Sequence, residues 1–276
     1  MFVTVLIYAL FILGTYLWGS LNFAILLSKA KGKDIRKLGS GNAGTMNIRR
    51  NFGFGFGVLC LVLDVLKGMI PCLIGLWLLG GPGSLSFGTN RFGFGYNPFR
   101  RGYEHDPFQG IGVYIGGFVA ILGHIFPIWY KFKGGKGIAS SIGVCIVINP
   151  VLAIFCFFAA LIFMIITAMG SVTSFLVIVP PLIYELLRLY GTGLIAAQLM
   201  VFGLFFLTMW AHRMNFVRLF AGTESKTVVF GKKRKARAKA HKEAEAERQR
   251  IKAGLKAESK TEKIQSANIA EPNANI

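Results

Sequence analysis

The chain has 276 residues, 54% hydrophobic and 16% charged, with 31 Lys and Arg against 12 Asp and Glu. Soluble domains are roughly a quarter charged, so this composition, with a mean hydropathy of +0.56, excludes an ordinary water-soluble globule. A net charge of +19 suggests a polyanionic partner, but nucleic-acid binding needs a folded basic face, and most of this chain is lipid-soluble.

The charge is unevenly placed. Residues 1–224 hold 17 basic and 6 acidic side chains (net +11), and residues 225–276 hold 14 and 6 (net +8). The cysteines, Cys60, Cys72, Cys145 and Cys156, each sit in an apolar run, outside any C-x-x-C pair or zinc-like Cys/His spacing. They read as small apolar fillers, and neither a metal nor another cofactor is expected.

In chain order, Phe2 to Leu27 is an uncharged apolar run longer than the about 20 residues a helix needs to cross a bilayer. It lacks a basic n-region and a small-x-small cleavage site, so it reads as a retained first span rather than a signal peptide. A basic stretch follows, with Lys29, Lys31, Lys33, Arg36, Lys37, Arg49 and Arg50 against Asp34. Within it lies a first polar cluster, Gly39-Ser40-Gly41-Asn42-Ala43-Gly44-Thr45-Met46-Asn47-Ile48-Arg49-Arg50. Closely spaced glycines let a backbone expose successive N–H groups to an anion, and Ser, Asn and Arg add donors, which favours binding chemistry over a plain connecting turn.

Val58 to Gly80 is the second span, interrupted by Asp64 and Lys67. Each ionisable group at membrane depth costs at least ~2.5 kcal/mol, and the i, i+3 spacing lets the two pair on one face. Mutual neutralisation and support of an active site account for them equally well. Gly81 to Gly110 is a long connection rich in Gly, Phe and Asn.

Ile111 to Tyr130 is the third span, and the second polar cluster straddles its end: Gly123-His124-Ile125-Phe126-Pro127, then Phe132-Lys133-Gly134-Gly135-Lys136-Gly137. Lysines around a Gly-Gly pair just before a helix form an anion site of the kind used for phosphate. The spacing is not that of a nucleotide-binding P-loop. Gly137 to Asn149 is apolar but short, and Val151 to Met169, Ser171 to Leu189 and Leu194 to Ala211 complete the apolar segments. A third cluster follows: His212-Arg213-Met214-Asn215-Phe216-Val217-Arg218-Leu219, then Ala221-Gly222-Thr223-Glu224. If helical, His212 and Asn215 share a face.

The positive-inside rule arbitrates the topology. Counting the short segment gives seven transmembrane helices, with the N-terminus outside, the C-terminus cytoplasmic and every basic loop on the cytoplasmic side; six crossings would divide the basic loops between the two sides. The expected organisation is an all-α polytopic membrane domain over residues 1–224, with an external insertion at about 81–110. A basic, partly helical or disordered cytoplasmic tail fills residues 225–276, either simply solvated or attracted to anionic headgroups.

No paired carboxylates, no G-x-S-x-G elbow and no Ser-His-Asp order are present. What remains is a basic pocket of glycine, hydroxyl and amide groups on the cytoplasmic side of a helical bundle. Its natural ligand is a phosphorylated molecule, with or without a lipid tail.

These clusters, in this order, resemble the bacterial integral-membrane glycerol-3-phosphate acyltransferase family that uses acyl phosphate as donor. That family's G-S-G-N-x-G-A-T-N-x-x-R is matched from Gly39 to Arg50, with Thr45 and Met46 replacing Ala-Thr and Arg49 replacing an apolar residue. Its G-H-x-F-P-x-F-x-x-F-K-G-G-K-G-V-A is matched from Gly123 to Ala139, with Trp129 and Ile138 as departures, and its H-R-x-N-x-x-R-L-x-x-G-x-E is complete from His212 to Glu224. Its D-x-x-K-G stands as Asp64-Val65-Leu66-Lys67-Gly68.

The resemblance implies a seven-helix fold in the bacterial cell membrane and transfer of an acyl group from acyl phosphate to glycerol 3-phosphate. The products would be 1-acyl-glycerol 3-phosphate and phosphate, in phospholipid synthesis. Acyl phosphate, glycerol 3-phosphate and membrane lipids are the implied partners, not nucleic acid. It implies catalytic roles for Ser40, Arg50, Lys136, His212 and Asn215, and substrate binding by Asn42, Gly44, Asn47, Lys133, Gly134, Gly135 and Gly137. Glu224, Asp64 and Lys67 would be structural. The rival from another class is a transporter of anionic phosphorylated solutes, which predicts polar groups near the midplane and an internal repeat.

Overall fold

Without water to satisfy their peptide groups, apolar runs of this length close their hydrogen bonds internally as helices. The computed structural model describes residues 2–79 and 111–223, all within the unit Met1–Lys226. In chain order the helices are α1 (Phe2–Gly19), α2 (Phe23–Lys29), α3 (Thr45–Phe52), α4 (Phe54–Leu79), α5 (Gly112–Ile125), α6 (Ile138–Ile148), α7 (Pro150–Thr167), α8 (Gly170–Leu189), α9 (Ile195–Ala211) and α10 (Arg213–Phe220). Short 3-10 turns stand at Ile35–Lys37 and Ile128–Tyr130. The connection at 81–110, Glu224 and the basic tail lie outside the described residues.

Among the described residues, five helical segments are long and apolar enough to cross a membrane, or six if α9 and α10, bent by 52° at His212, form one span. The seventh expected crossing falls on α6, which has 11 residues. At 1.5 Å per residue it extends about 16 Å, roughly half a hydrocarbon core. The architecture is thus all-helical with five to six spans by length.

The expected first run, Phe2 to Leu27, does not form one helix. Asn22 interrupts it: its Oδ1 accepts from Ile25 N at 3.1 Å, capping α2, while its Nδ2 reaches the Ala43 carbonyl at 3.4 Å. A side chain that caps a new helix competes with continuation of the old one. At the other boundaries local signals agree with the fold. Asn149 caps α7, accepting from Leu152 N at 3.1 Å, with Pro150 in the first turn.

α5 is the central helix: most of the segment Gly112–Tyr130 is buried, whereas most of α1 and α7 is not. It packs on α1, α4 and α9, and α4 packs also on α6. The close approaches rest on small residues, since lipid supplies no hydrophobic drive for helix association. A Cβ at Gly68 of α4 would overlap the Ser140 carbonyl of α6, and one at Gly116 of α5 would overlap the Pro71 carbonyl of α4.

Far from the polar clusters, Tyr114 near the start of α5 donates its hydroxyl hydrogen to Glu185 of α8, which also accepts from Arg188 Nε at 2.8 Å. Arg188 in turn donates to the Tyr114 hydroxyl oxygen at 2.8 Å, closing a three-membered cluster. Tyr114 and Glu185 are buried, so Arg188→Met leaves a carboxylate without its cation and is expected to cost about 3–5 kcal/mol. Tyr114→Phe is expected to cost less, about 1–3 kcal/mol. Thermal unfolding in detergent ranks the two variants. Turnover at permissive temperature should change little, because Tyr114 stands about 15 Å along α5 from His124.

Candidate functional site

The first cluster folds around one side chain. Asn47, buried on α3, shares the two hydrogens of its Nδ2 among the carbonyls of Ile35 (3.2 Å), Leu38 (2.9 Å) and Asn42 (3.0 Å). Its Oδ1 accepts from Ser40 N at 3.3 Å and from Asn51 Nδ2 at 3.0 Å. The amide expected to face substrate is therefore turned inward, where it shapes the loop. Gly39 and Gly41 are left-handed at φ +55° and +71°, which presents Ser40 at the surface between them. Gly44 opens α3 and has no side chain with which to cap the N–H groups of the first turn. Arg50 lies exposed on the same helix, and Asn42 and Gly44 are half-buried in the loop that leads into it.

The loop is steadied from outside by Asp34. It caps the Ile35–Lys37 turn and holds Arg36 through Nε (3.0 Å) and a second nitrogen (2.7 Å). The Arg36 hydrogen bond lowers the Asp34 carboxyl to about 2. A carboxyl depressed on folding contributes stability above its unfolded value and loses it as pH falls through the folded one, so this pair is intact at neutral pH and fails only in strong acid.

The second cluster is a turn folded back on the end of α5. Lys131 and Phe132 are left-handed at φ 54° and 57°, a conformation costing non-glycine residues about 1–2 kcal/mol each, held by Phe132 N donating to Pro127 O at 2.9 Å. Gly134 N donates to Ile125 O at 3.1 Å and Gly135 N to His124 O at 3.2 Å. These two glycine N–H groups, expected to face an anion, are thus spent on α5. The donors the geometry offers instead are those of the first turn of α6, which begins at Gly137 (φ +79°) with no side-chain cap. Lys133 is exposed, and Gly135 and Gly137 are buried.

The third cluster is set by the bend at His212. His212 Nδ1 donates to Thr208 O at 3.0 Å, which turns Nε2 to the opposite side of the ring, and the ring packs edge-on against Phe175 at 5.1 Å. Asn215, on α10, accepts at Oδ1 from Lys136 Nζ and from Arg218 at 2.7 Å, and donates through Nδ2 to Ser171 Oγ. The bend, rather than a shared helical face, places His212 beside Asn215.

The three clusters meet. A Cβ on Gly135 would strike both His124 Nε2 and the Ala43 carbonyl, so the second cluster packs directly on the first, and Lys136 to Asn215 joins the second to the third. Asp64 and Lys67 pair at 3.1 Å, both buried, and Lys67 Nζ lies 2.7 Å from His124 Nδ1. Sequence reasoning did not single out Ser171 or Arg218 as site residues. Arg218 stands in a quoted motif, but nothing marks Ser171, 44 positions from the amide it holds.

Comparison with known proteins agrees in chain order and extent. A family model described as glycerol-3-phosphate acyltransferase matches residues 9–222. The glycerol-3-phosphate acyltransferase of Mycoplasmopsis pulmonis is 34% identical over 237 residues, covering 81% of this chain and 94% of that protein. The one from Aquifex aeolicus is 30% identical over 76% of this chain and 93% of its own length. Among solved structures, the glycerol 3-phosphate form of PlsY (YgiH), an integral membrane glycerol 3-phosphate acyltransferase, superposes with a TM-score of 0.60 at 30% identity, covering 79% of this chain and 94% of that one. A lysophosphatidic acid form of the same enzyme gives 0.59.

Proposed function

The chain belongs to the glycerol-3-phosphate acyltransferase family of multi-pass membrane enzymes, and from that premise we propose that it transfers the acyl group of an acyl phosphate to glycerol 3-phosphate, giving 1-acyl-glycerol 3-phosphate and phosphate. The observation that carries the donor assignment is the junction of Lys136 with Asn215 and Arg218 beside the Gly135 and Ala43 contact. Cationic and N–H donors converge there.

An acyl phosphate is a mixed anhydride and already activated, so the protein's work is alignment and charge stabilisation. A glycerol hydroxyl oxygen attacks the acyl carbonyl carbon. The new ester C–O bond forms as the anhydride C–O bond breaks, and phosphate departs with the electron pair. Lys136, Arg218 and the first turn of α6 stabilise charge on the phosphate, while Ser40, Arg50 and the first turn of α3 bind the second anion. The hydroxyl proton passes to His212 Nε2 or to a substrate phosphate oxygen. Asn47, Asn42 and Gly44 act on substrate through the shape of their loop.

Counting α6 as a short crossing, the reading extends to seven helices, with the N-terminus outside and the site on the cytoplasmic face of the bacterial cell membrane. A half-length α6 starting at buried Gly137 supports a phosphate loop sunk below the headgroups.

Purified protein in detergent, given acyl phosphate and labelled glycerol 3-phosphate, is expected to form labelled product without any sealed compartment. Transport across a vesicle wall without product would overturn the assignment. Ser40 positions substrate rather than attacking, so quenched turnover mixtures should carry no acyl group on Ser40 by mass spectrometry; a trapped Ser40 ester would replace direct transfer with a two-step route.

A further inference from the structure

Asp64, Lys67 and His124 form a buried ionic cluster that the transfer step does not consume. The Lys67 side chain is 0% exposed, and an ammonium in such a place is retained only at a cost in desolvation. Neutralisation by Asp64 explains its tolerance but not its other bonds. Lys67 Nζ also donates to the Leu21 carbonyl at 2.8 Å, in the break between α1 and α2, and meets His124 Nδ1 at 2.7 Å. An ammonium has hydrogens and no acceptor, so His124 Nδ1 must accept, and the neutral ring carries its proton on Nε2. That nitrogen is the one standing against Gly135.

Each arm of the cluster ends at a different part of the site. Through His124, whose carbonyl receives Gly135 N at 3.2 Å and whose Nδ1 lies 3.4 Å from Ser140 Oγ, it reaches the phosphate loop and the first turn of α6. Through Leu21 it fixes the residue before Asn22, whose Nδ2 reaches Ala43 O at 3.4 Å in the first cluster. Through Asp64 Oδ2, which faces Cys60 Sγ at 3.8 Å, it approaches Thr45 Oγ1, 3.8 Å from the same sulfur and the first residue of α3.

We propose that Lys67 is a positioning residue: paired with Asp64, it ties the Leu21 carbonyl to His124 Nδ1, setting the separation of the first cluster from the phosphate loop and fixing His124 as the Nε2–H tautomer that faces Gly135. The proposal rests on the acyl-transfer reading for its kinetic consequence, whereas its tautomer consequence is independent of that reading.

The test uses the full chain. Lys67→Met combined with Asp64→Leu removes both charges while filling the space, an exchange buried ion pairs often tolerate. Its KM for glycerol 3-phosphate is expected to rise about tenfold or more, with the melting temperature within a few degrees of the parent. Unchanged KM and kcat in a folded double variant would reduce the cluster to mutual neutralisation and overturn the proposal. In parallel, nitrogen-15 histidine labelling of protein carrying His105→Gln, His212→Gln and His241→Gln, used for this readout alone, leaves the His124 ring as the single labelled imidazole. A protonated Nε2 with unprotonated Nδ1 is expected in the parent background, and a tautomer mixture after the double substitution. A protonated Nδ1 in the parent background overturns the proposal even if the double variant does not fold. Parent protein without turnover counts against the acyl-transfer reading alone.

Discussion

Replacing Lys136 by alanine lowers turnover by about a thousandfold, equivalent to about 4 kcal/mol of transition-state stabilisation, while the protein still folds. The size follows from where the ammonium sits. Lys136 and Arg218 both donate to the single amide oxygen of Asn215, so two cations converge on a neutral acceptor. An anion lying between them is attracted by both, and the attraction grows as charge moves onto a departing phosphate. The residue stands one position before Gly137, the N-cap of α6, whose first turn adds N–H donors close by. Folding should survive because Lys136 is only partly buried and the turn before it is held by backbone bonds to Ile125 and His124. Steady-state rates in detergent, with melting curves on the same preparation, check both halves. Near-normal turnover in Lys136→Ala would remove the phosphate loop from the mechanism.

Gly135→Ala is expected to lower kcat/KM by about a hundredfold, far more than Gly137→Ala, although Gly137 has the more unusual backbone. The added methyl at 135 would overlap His124 Nε2 on one side and the Ala43 carbonyl on the other. A backbone carbonyl cannot swing aside, so the loop and the first cluster must separate, and misplacement of that order is what alignment catalysis cannot absorb. At Gly137 the nearest atom to the added methyl is Ile121 Cγ2 at 3.2 Å, the end of a flexible side chain. Its penalty is mainly the left-handed φ of +79°, about 1–2 kcal/mol of stability. Kinetics and thermal unfolding of the two variants separate these costs. A Gly137→Ala protein more crippled in turnover than Gly135→Ala would show that backbone strain, not loop separation, governs the site.

Hydropathy alone locates the apolar segments: the helices fall close to the runs expected for them, because a peptide group in lipid has no partner other than its own helix. The break after Gly19 is different. Its cause, Asn22, is visible in the sequence, but whether an asparagine in an apolar run caps a new helix or faces a neighbour depends on the carbonyl across the bundle that it meets, here Ala43. The Gly-rich clusters likewise announce anion chemistry through residue type and spacing. Which of their N–H groups remain for an anion does not follow, since Gly134 and Gly135 donate back to α5.

By itself the sequence determined the helical membrane class, the three polar clusters and, through their resemblance, the acyl-transfer chemistry, since these follow from apolar length and local residue type. Only the tertiary structure decided that Asn47 faces inward, that Ser171 holds Asn215, that Gly135 abuts Ala43, and that Lys67 reaches both Leu21 and His124. Those contacts join residues tens of positions apart, and the crossing of packed helices, which sets which side chains meet at ångström distances, is not written in any local period.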